Sequence, residues 1–128
     1  MGLPGAGKST LAAELAAELS PDCLWLDANV VREKYNDWDF SEEGRIRQSL
    51  RMRELADASD KKYVIADFVC PLPQMRENYK ADFIVWMDTV RTSKYEDTNK
   101  MFVPPEYYSL HITEQYAEKW ANIIARKL

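Results

Sequence analysis

The sequence predicts an α/β fold in which a parallel sheet is covered by helices on both faces. Three observations carry this. The short apolar runs Cys23-Leu24-Trp25-Leu26, Tyr63-Val64-Ile65-Ala66 and Phe83-Ile84-Val85-Trp86-Met87 each end on an aspartate, the pattern of strands buried on both faces. Segments of helical periodicity alternate with them. A glycine-rich turn opens the chain and leads directly into the first helical segment.

Taken in order, Lys8 to Leu19 reads as a helix, because Leu11, Ala12, Leu15, Ala16 and Leu19 recur at helical spacing and Ser20-Pro21-Asp22 stops it. The Cys23–Leu26 strand ends on Asp27, and a polar stretch rich in Asn and Asp follows. Ser41 then caps a second helix running to about Ala58, with Glu42 and Glu43 complementing the positive end of its dipole. The Tyr63–Ala66 strand ends on Asp67. A short helix over Pro73 to Tyr79 precedes the strand ending on Asp88. Thr89 to Val103 is polar and weakly periodic and reads as a mobile flap. Tyr108 to Thr113 makes a last strand and Glu114 to Lys127 a closing amphipathic helix, with Ala117, Trp120, Ile123 and Ile124 on its inner face. Trp25, Trp86 and Trp120 read as core.

The length of 128 residues fits a single domain, residues 1–128, with one modest core. A formal net charge of −4 with no basic stripe argues against nucleic acid as a partner, because non-specific binding rests on neutralising phosphates. The two cysteines, Cys23 and Cys70, are too far apart in sequence for a zinc motif or a disulfide framework and read as reduced thiols. No apolar run approaches the ~20 residues of a membrane span, and the glycine-rich start, which leads straight into a motif, does not read as a signal peptide. The expectation is a cytoplasmic protein.

Gly2-Leu3-Pro4-Gly5-Ala6-Gly7-Lys8-Ser9-Thr10 matches G-x-x-x-x-G-K-[ST] at every fixed position. Glycines let backbone N–H groups converge on phosphate oxygens where a Cβ would intrude. Lys8 can reach the β- and γ-phosphates of ATP, the Ser9 hydroxyl can hold Mg²⁺, and the helix that follows aims its positive end at the same place. This sharpens the fold to the three-layer P-loop NTPase type. Such a cradle normally follows a central strand, and only Met1 precedes Gly2. Either the sequence starts late or another segment fills that slot; the expectation is a late start, with the first, central strand missing from the sheet.

In open parallel sheets ligands sit at the carboxyl ends of strands, where Asp27, Asp67 and Asp88 fall. Asp67, after a Walker-B-like run, is the candidate for the outer shell of the metal, beside a capping or turn role. Asp27 is the candidate acid facing the acceptor hydroxyl, beside a structural turn role. Asp88 reads as an anchor of the flap. Arg32 follows Asp27 by five residues and can reach an anionic substrate. Arg45 lies in the first turn of the second helix, sharing a face with Gln48, and its guanidinium can bond phosphate or sulfate bidentately. Arg47, Arg51 and Arg53 read as a solvated charged face. Trp38 and Phe40 lie in a loop where they can stack on a base. Cys70-Pro71 shapes a substrate loop, and His111 reads as structural or surface.

The order Gly2–Thr10, then Leu26-Asp27-Ala28-Asn29-Val30-Val31-Arg32, then Phe40-Ser41-Glu42-Glu43-Gly44-Arg45 resembles the adenylylsulfate (APS) kinase family, with its P-loop, L-D-G-D-x-x-R and F-S-x-x-D-R segments. Phe68-Val69-Cys70-Pro71 resembles that family's F-I-S-P loop, Val85–Thr89 its V-D-T strand end, and Phe102–Glu106 its Y-E-P-P-E stretch. The resemblance implies transfer of the ATP γ-phosphoryl to the 3′-hydroxyl of adenylylsulfate. It also implies contacts to that substrate from Arg32, Phe40 and Arg45, with Phe40 on the adenine. Gln48, Cys70 and Pro71 would fall at the same site. The chain departs from the pattern at Asn29, Gly44, Gln48, Cys70 and Asp67. Glu96–Phe102 stands where the family has R-D-P-K-G-L-Y. With Asn29 in place of the second acid, a base role falls to Asp27.

The expected function is thus an ATP- and Mg²⁺-dependent kinase of a small molecule, catalysed by Asp27 and Lys8, with residues 89–103 as lid. A kinase of another hydroxyl compound or of a nucleic-acid 5′ end, and an inactive nucleotide-binding module, stay open beside it, as does a homodimer.

Overall fold

A computed structural model describes residues 1–128. Its elements are α1 (Lys8–Leu19), β1 (Cys23–Asp27), α2 (Ala28–Tyr35), α3 (Glu42–Asp57), β2 (Tyr63–Asp67), α4 (Pro73–Tyr79), β3 (Val85–Met87), α5 (Glu96–Met101), β4 (Leu110–Ile112) and α6 (Ala117–Lys127). The boundaries of α1 and α3 agree closely with the sequence signals. Ser41 caps α3 by accepting from the Gly44 N–H at 3.2 Å, and Glu42 and Glu43 occupy its first turn.

Two helices lie where the sequence reads as irregular. In α2, Asp27 accepts from the Asn29 N–H at 2.9 Å, an N-cap that offsets the weak helix propensity of the β-branched Val30 and Val31. The turn α5 lies within the predicted flap, held by tertiary contacts rather than by periodicity. Strands β3 and β4 and helix α6 are shorter than their apolar runs suggest.

The strands form two parallel pairs. β1 runs beside β2, with Cys23 opposite Tyr63 and Asp27 opposite Asp67; β3 runs beside β4, with Trp86 opposite His111. The pairs do not bond to one another. Met1 lies between them. Its amine donates to the Val85 carbonyl at 2.8 Å and its carbonyl accepts from the Met87 N–H at 2.8 Å. These two bonds bracket Trp86, the pattern of a parallel ladder one residue long. The Gly2 N–H reaches the Val69 carbonyl on the other side.

Behind Met1, between β2 and β3, lies an apolar cavity of about 660 Å³ whose lining includes Leu11, Leu15, Val64, Ile65, Val85 and Ile124. Because one edge of β2 faces this cavity, Val64, Ile65 and Ala66 are only half-buried, less than the continuous apolar run predicts. Trp25, Trp86 and Trp120 are likewise half-buried. The Trp25 indole N–H has no partner.

Two clusters make the core. Ala6, Leu11, Leu15, Met87, Ile112, Ala121 and Ile124 join the cradle and α1 to β3, β4 and α6. Leu26, Val31, Met52 and Tyr79 join β1 to α2, α3 and α4. Helix α1 touches both halves, packing on α6 and on β1 and β2. The fold therefore depends heavily on the α1–α6 contact. Ile124→Ala, at a site only 1% exposed, is expected to lower the unfolding free energy by about 2–5 kcal/mol in a denaturant titration.

Candidate active site

The cradle is held from outside by side chains of later elements. The Thr89 hydroxyl donates to the Ala6 carbonyl at 2.7 Å. The Gln115 amide donates to the Gly5 carbonyl and to Thr89 Oγ1, both at 3.2 Å. Gly7, at φ 94°, turns the chain into α1 through the left-handed region, which a side chain would strain. The first amides of α1 have no acceptor within the helix and, with its dipole, form an anion site beside Leu3, Pro4 and Thr10. Lys8 folds back so that Nζ donates to the Leu3 carbonyl at 2.9 Å. Burial lowers the Lys8 pKa, opposed by the nearby Asp67 carboxylate.

The sheet brings the two candidate acids side by side, since Asp27 and Asp67 are register partners. Ser9 Oγ donates to Asp67 Oδ2 at 2.8 Å. Asp67 is 7% exposed. Burial pushes its pKa up, the Ser9 bond and Lys8 pull it down, and Asp27 pushes it up again, leaving it raised overall. Asp27 remains half-exposed and already spends Oδ1 on the cap of α2. No group of three or more His, Cys, Asp or Glu converges to hold a metal unaided. A hydroxyl and one carboxylate beside a phosphate cradle suit Mg²⁺, which keeps several waters and takes its remaining ligands from substrate phosphates.

A second charged region lies along α2 and α3. Arg32 is 4% exposed; its Nη1 donates at 3.0 Å to the carbonyls of Asp37 and Asp39, leaving Nε and Nη2 without a partner in the chain. Arg45 donates from Nε to the Phe40 carbonyl at 3.0 Å and from Nη2 to Thr98 Oγ1 at 2.8 Å, leaving Nη1 free. Both guanidiniums lie over the Phe40 ring, 4.4 and 5.3 Å from its centroid. Burial lowers both pKa values, and neither group bonds a carboxylate. Phe40 is 48% exposed, with Trp38 tilted against it at 6.4 Å.

The neighbouring arginines differ. Arg47 and Arg51 share Asp37 at 2.8 and 2.9 Å, which holds that carboxyl far below its ordinary range. Arg53 pairs with Asp57. The expected solvated face is therefore a set of ion pairs, and the Arg51–Asp37 bridge is largely buried. Gln48 is 2% exposed; its Nε2 donates to the Ala28 carbonyl and its Oε1 accepts from Arg51. Its amide braces α2 against α3, so the structure does not leave it facing a ligand. Gly44 has a steric cause: a Cβ there would lie 2.1 Å from the Asp39 carbonyl oxygen and 2.5 Å from Asp39 Cγ. The carboxyl group of Asp39 thus fills the space a side chain at 44 would need.

Cys70 is buried at φ 50°, and burial pushes its thiol up to about 11. Pro71 is buried beside it. These two act through their backbone: the carbonyls of Cys70 and Pro71 accept from Arg76, and the Pro71 carbonyl accepts from the Val103 N–H. Arg76 also donates to the Val103 carbonyl, so the end of the flap is tied to this loop. Asp88 is paired with the His111 ring at 2.9 Å rather than with the flap, and His111 stacks on Trp86 at 4.2 Å. Asp37, Arg76 and Thr98 were not singled out from the sequence. Only Asp37 carried a local sign, as an acid within reach of an arginine-rich helix.

A phosphate cradle at the carboxyl ends of parallel strands, with Ser9 on Asp67 and a basic aromatic clamp beyond them, defines a P-loop phosphotransferase. The chain belongs to the adenylylsulphate kinase family, whose sequence model matches residues 1–94. Members of that family use ATP, generally with Mg²⁺. No curated relative matches the chain significantly. Among solved structures, the Mycobacterium tuberculosis APS kinase CysC in complex with AMPPNP and APS superposes with a TM-score of 0.76 at 19% identity, over 98% of this chain and 92% of that one. APE1195 gives 0.77 at 21% identity, over 99% and 90%. Shikimate kinase from Acinetobacter baumannii in complex with shikimate gives 0.64 at 21%, over 98% and 88%. At these identities the likeness is one of fold. No helix is long and apolar enough to cross a membrane.

A carboxyl whose folded pKa is raised holds its proton more tightly in the native state, so its contribution to stability is lost as pH rises through that folded value. Asp67 therefore contributes more to stability at acid pH than at neutral pH. Asp67→Asn keeps an acceptor for Ser9 and is expected to raise the melting temperature at pH 7, while raising the Mg²⁺ concentration needed for half-maximal turnover by about tenfold or more. Calorimetry and a Mg²⁺ titration check the two halves.

Proposed function

We propose that the chain transfers the γ-phosphoryl of ATP to the 3′-hydroxyl of adenylylsulfate. The observation that carries this acceptor is the pair of carboxylate-free guanidiniums, Arg32 and Arg45, over the half-exposed Phe40 ring. Two poorly hydrated cations with free N–H donors around an aromatic face suit a planar base joined to an anionic sulfate–phosphate group. Membership of the family and the superposition on a kinase bound to APS support the same reading.

In this reading the backbone from Gly2 to Gly7 and the N-terminus of α1 bind the ATP phosphates. Lys8 leaves the Leu3 carbonyl to lie along the β- and γ-phosphates, where it offsets charge as the transition state loosens. Ser9 and Asp67 would hold Mg²⁺, which when bound neutralises phosphate charge. Arg32, Arg45 and Phe40 orient the acceptor so that its 3′-oxygen approaches the γ-phosphorus in line. A bond forms between that oxygen and phosphorus, the bond to the bridging β–γ oxygen breaks, and ADP departs. Asp27 takes the hydroxyl proton through its unspent carboxylate oxygen. Residues 89–103 act as the lid that limits attack by water.

The test is a radiolabelled-ATP assay on purified protein, with adenylylsulfate, with AMP and with no acceptor. Label is expected to move to adenylylsulfate alone. Lys8→Ala should abolish transfer, and Asp27→Asn should lower kcat by about 10²–10⁴-fold. Transfer to a different hydroxyl compound, or nucleotide binding without any turnover, would replace the assignment. Unchanged turnover in Asp27→Asn would remove the base from the mechanism.

A further inference from the structure

We propose that Thr98, on the flap, is the positioning residue for Arg45, and that this contact couples docking of the flap to occupancy of the anion site. The inference rests on the acceptor site proposed above. Thr98 is the one buried residue of α5, 6% exposed, and its hydroxyl oxygen accepts from Arg45 Nη2 at 2.8 Å. No other side-chain hydrogen bond joins α5 to α3. At its near end the flap is tied to the cradle through Thr89, which bonds the Ala6 carbonyl and Gln115; between its ends the remaining polar network is internal, Asn99 bonding Thr92 and Ser93. At its far end the segment is pinned by Val103 to Pro71 and Arg76. Thr98 is thus the point at which the middle of the flap touches the site.

The geometry gives the contact a direction. A guanidinium is planar, and two donors fixed on one side orient the whole fork. The Phe40 carbonyl takes Nε and Thr98 takes Nη2, both neutral acceptors. The Nη1 group is left without a partner, and no carboxylate bonds the guanidinium. A carboxylate in place of Thr98 would neutralise the group, whereas a hydroxyl aims it and leaves it cationic. Since Thr98 travels with the flap, an undocked flap leaves Arg45 with one fixed donor and a free side-chain torsion. Linkage then requires that an anion bound on the aimed Arg45 favours the docked flap to the same degree that docking favours the anion. A charge-assisted hydrogen bond of ordinary strength sets that mutual effect at about tenfold.

The experiment is a double-mutant cycle read by amide hydrogen exchange on residues 95–103 of the free protein, with Thr98→Val and Arg45→Ala. Each single change is expected to speed exchange about five- to tenfold, and the double variant no further. Exchange rates that multiply in the double variant would overturn the coupling. Thr98→Val should also raise KM for adenylylsulfate at least fivefold, with KM for ATP and kcat within twofold, and Thr98→Ser should restore it. An unchanged acceptor KM in Thr98→Val would overturn the positioning role. If adenylylsulfate gives no product in the unmodified protein, the acceptor assignment falls by itself, because the cycle is read without acceptor.

Discussion

The stem of the phosphate cradle lies between two strand pairs that otherwise share no hydrogen bond, and that constraint governs the rest of the structure. Met1 bonds β3, Gly2 reaches Val69 beyond β2, and Ser9 bonds Asp67 at the end of β2. Ala6 is buried in the same apolar cluster as α1 and α6. The segment that binds phosphate is therefore also the segment that joins the halves. Anion binding at the cradle and cohesion of the fold are linked, since a ligand bound only by the native state stabilises it by mass action. The cavity behind Met1 leaves apolar lining on both sides without dense contact, and α1 and α6 carry a correspondingly larger share of the packing.

Charge is distributed by the same economy. Arg47, Arg51 and Arg53 are matched by Asp37, Asp39 and Asp57, so these cations stabilise α3 and the 37–39 loop and have little left for a ligand. Arg32 and Arg45 are held by carbonyls and a hydroxyl. Such acceptors fix a guanidinium without cancelling it, at the cost of leaving charge partly desolvated. Asp67 is the acidic counterpart: burial disfavours its charged form, the kind of local cost that functional sites accept. Gly44 belongs to this arrangement, since Asp39 can serve Arg47 and the Ser41 N–H only because no side chain occupies position 44.

Much of this was legible in the sequence because the signals are local. The cradle depends on which residues can take positive φ and on a lysine and serine at set spacing. The Ser41 cap and the period of α1 lie within a turn or two of the chain. Asp27 and Asp67 at strand ends followed from apolar runs that stop on an acid. Helix α2 was missed because its N-cap is an aspartate that reads equally well as a catalytic group, and α5 because a turn of helix fixed by distant contacts has no period of its own. Gln48 and the Cys70-Pro71 pair lay near the site in sequence order, yet Gln48 turned inward and the pair contributes backbone carbonyls.

The sequence by itself determined the nucleotide cradle, the order of strands and helices, and the presence of arginines and an aromatic ring downstream. Each is a property of residue type and short-range spacing. Only the tertiary structure decided which arginines are spent on carboxylates and which stay free, that the strands divide into two pairs around Met1, and that Thr98 meets Arg45 across 53 residues. Those outcomes depend on burial and on partners far apart in the chain, because desolvation and ion pairing are set by three-dimensional neighbours rather than by sequence neighbours.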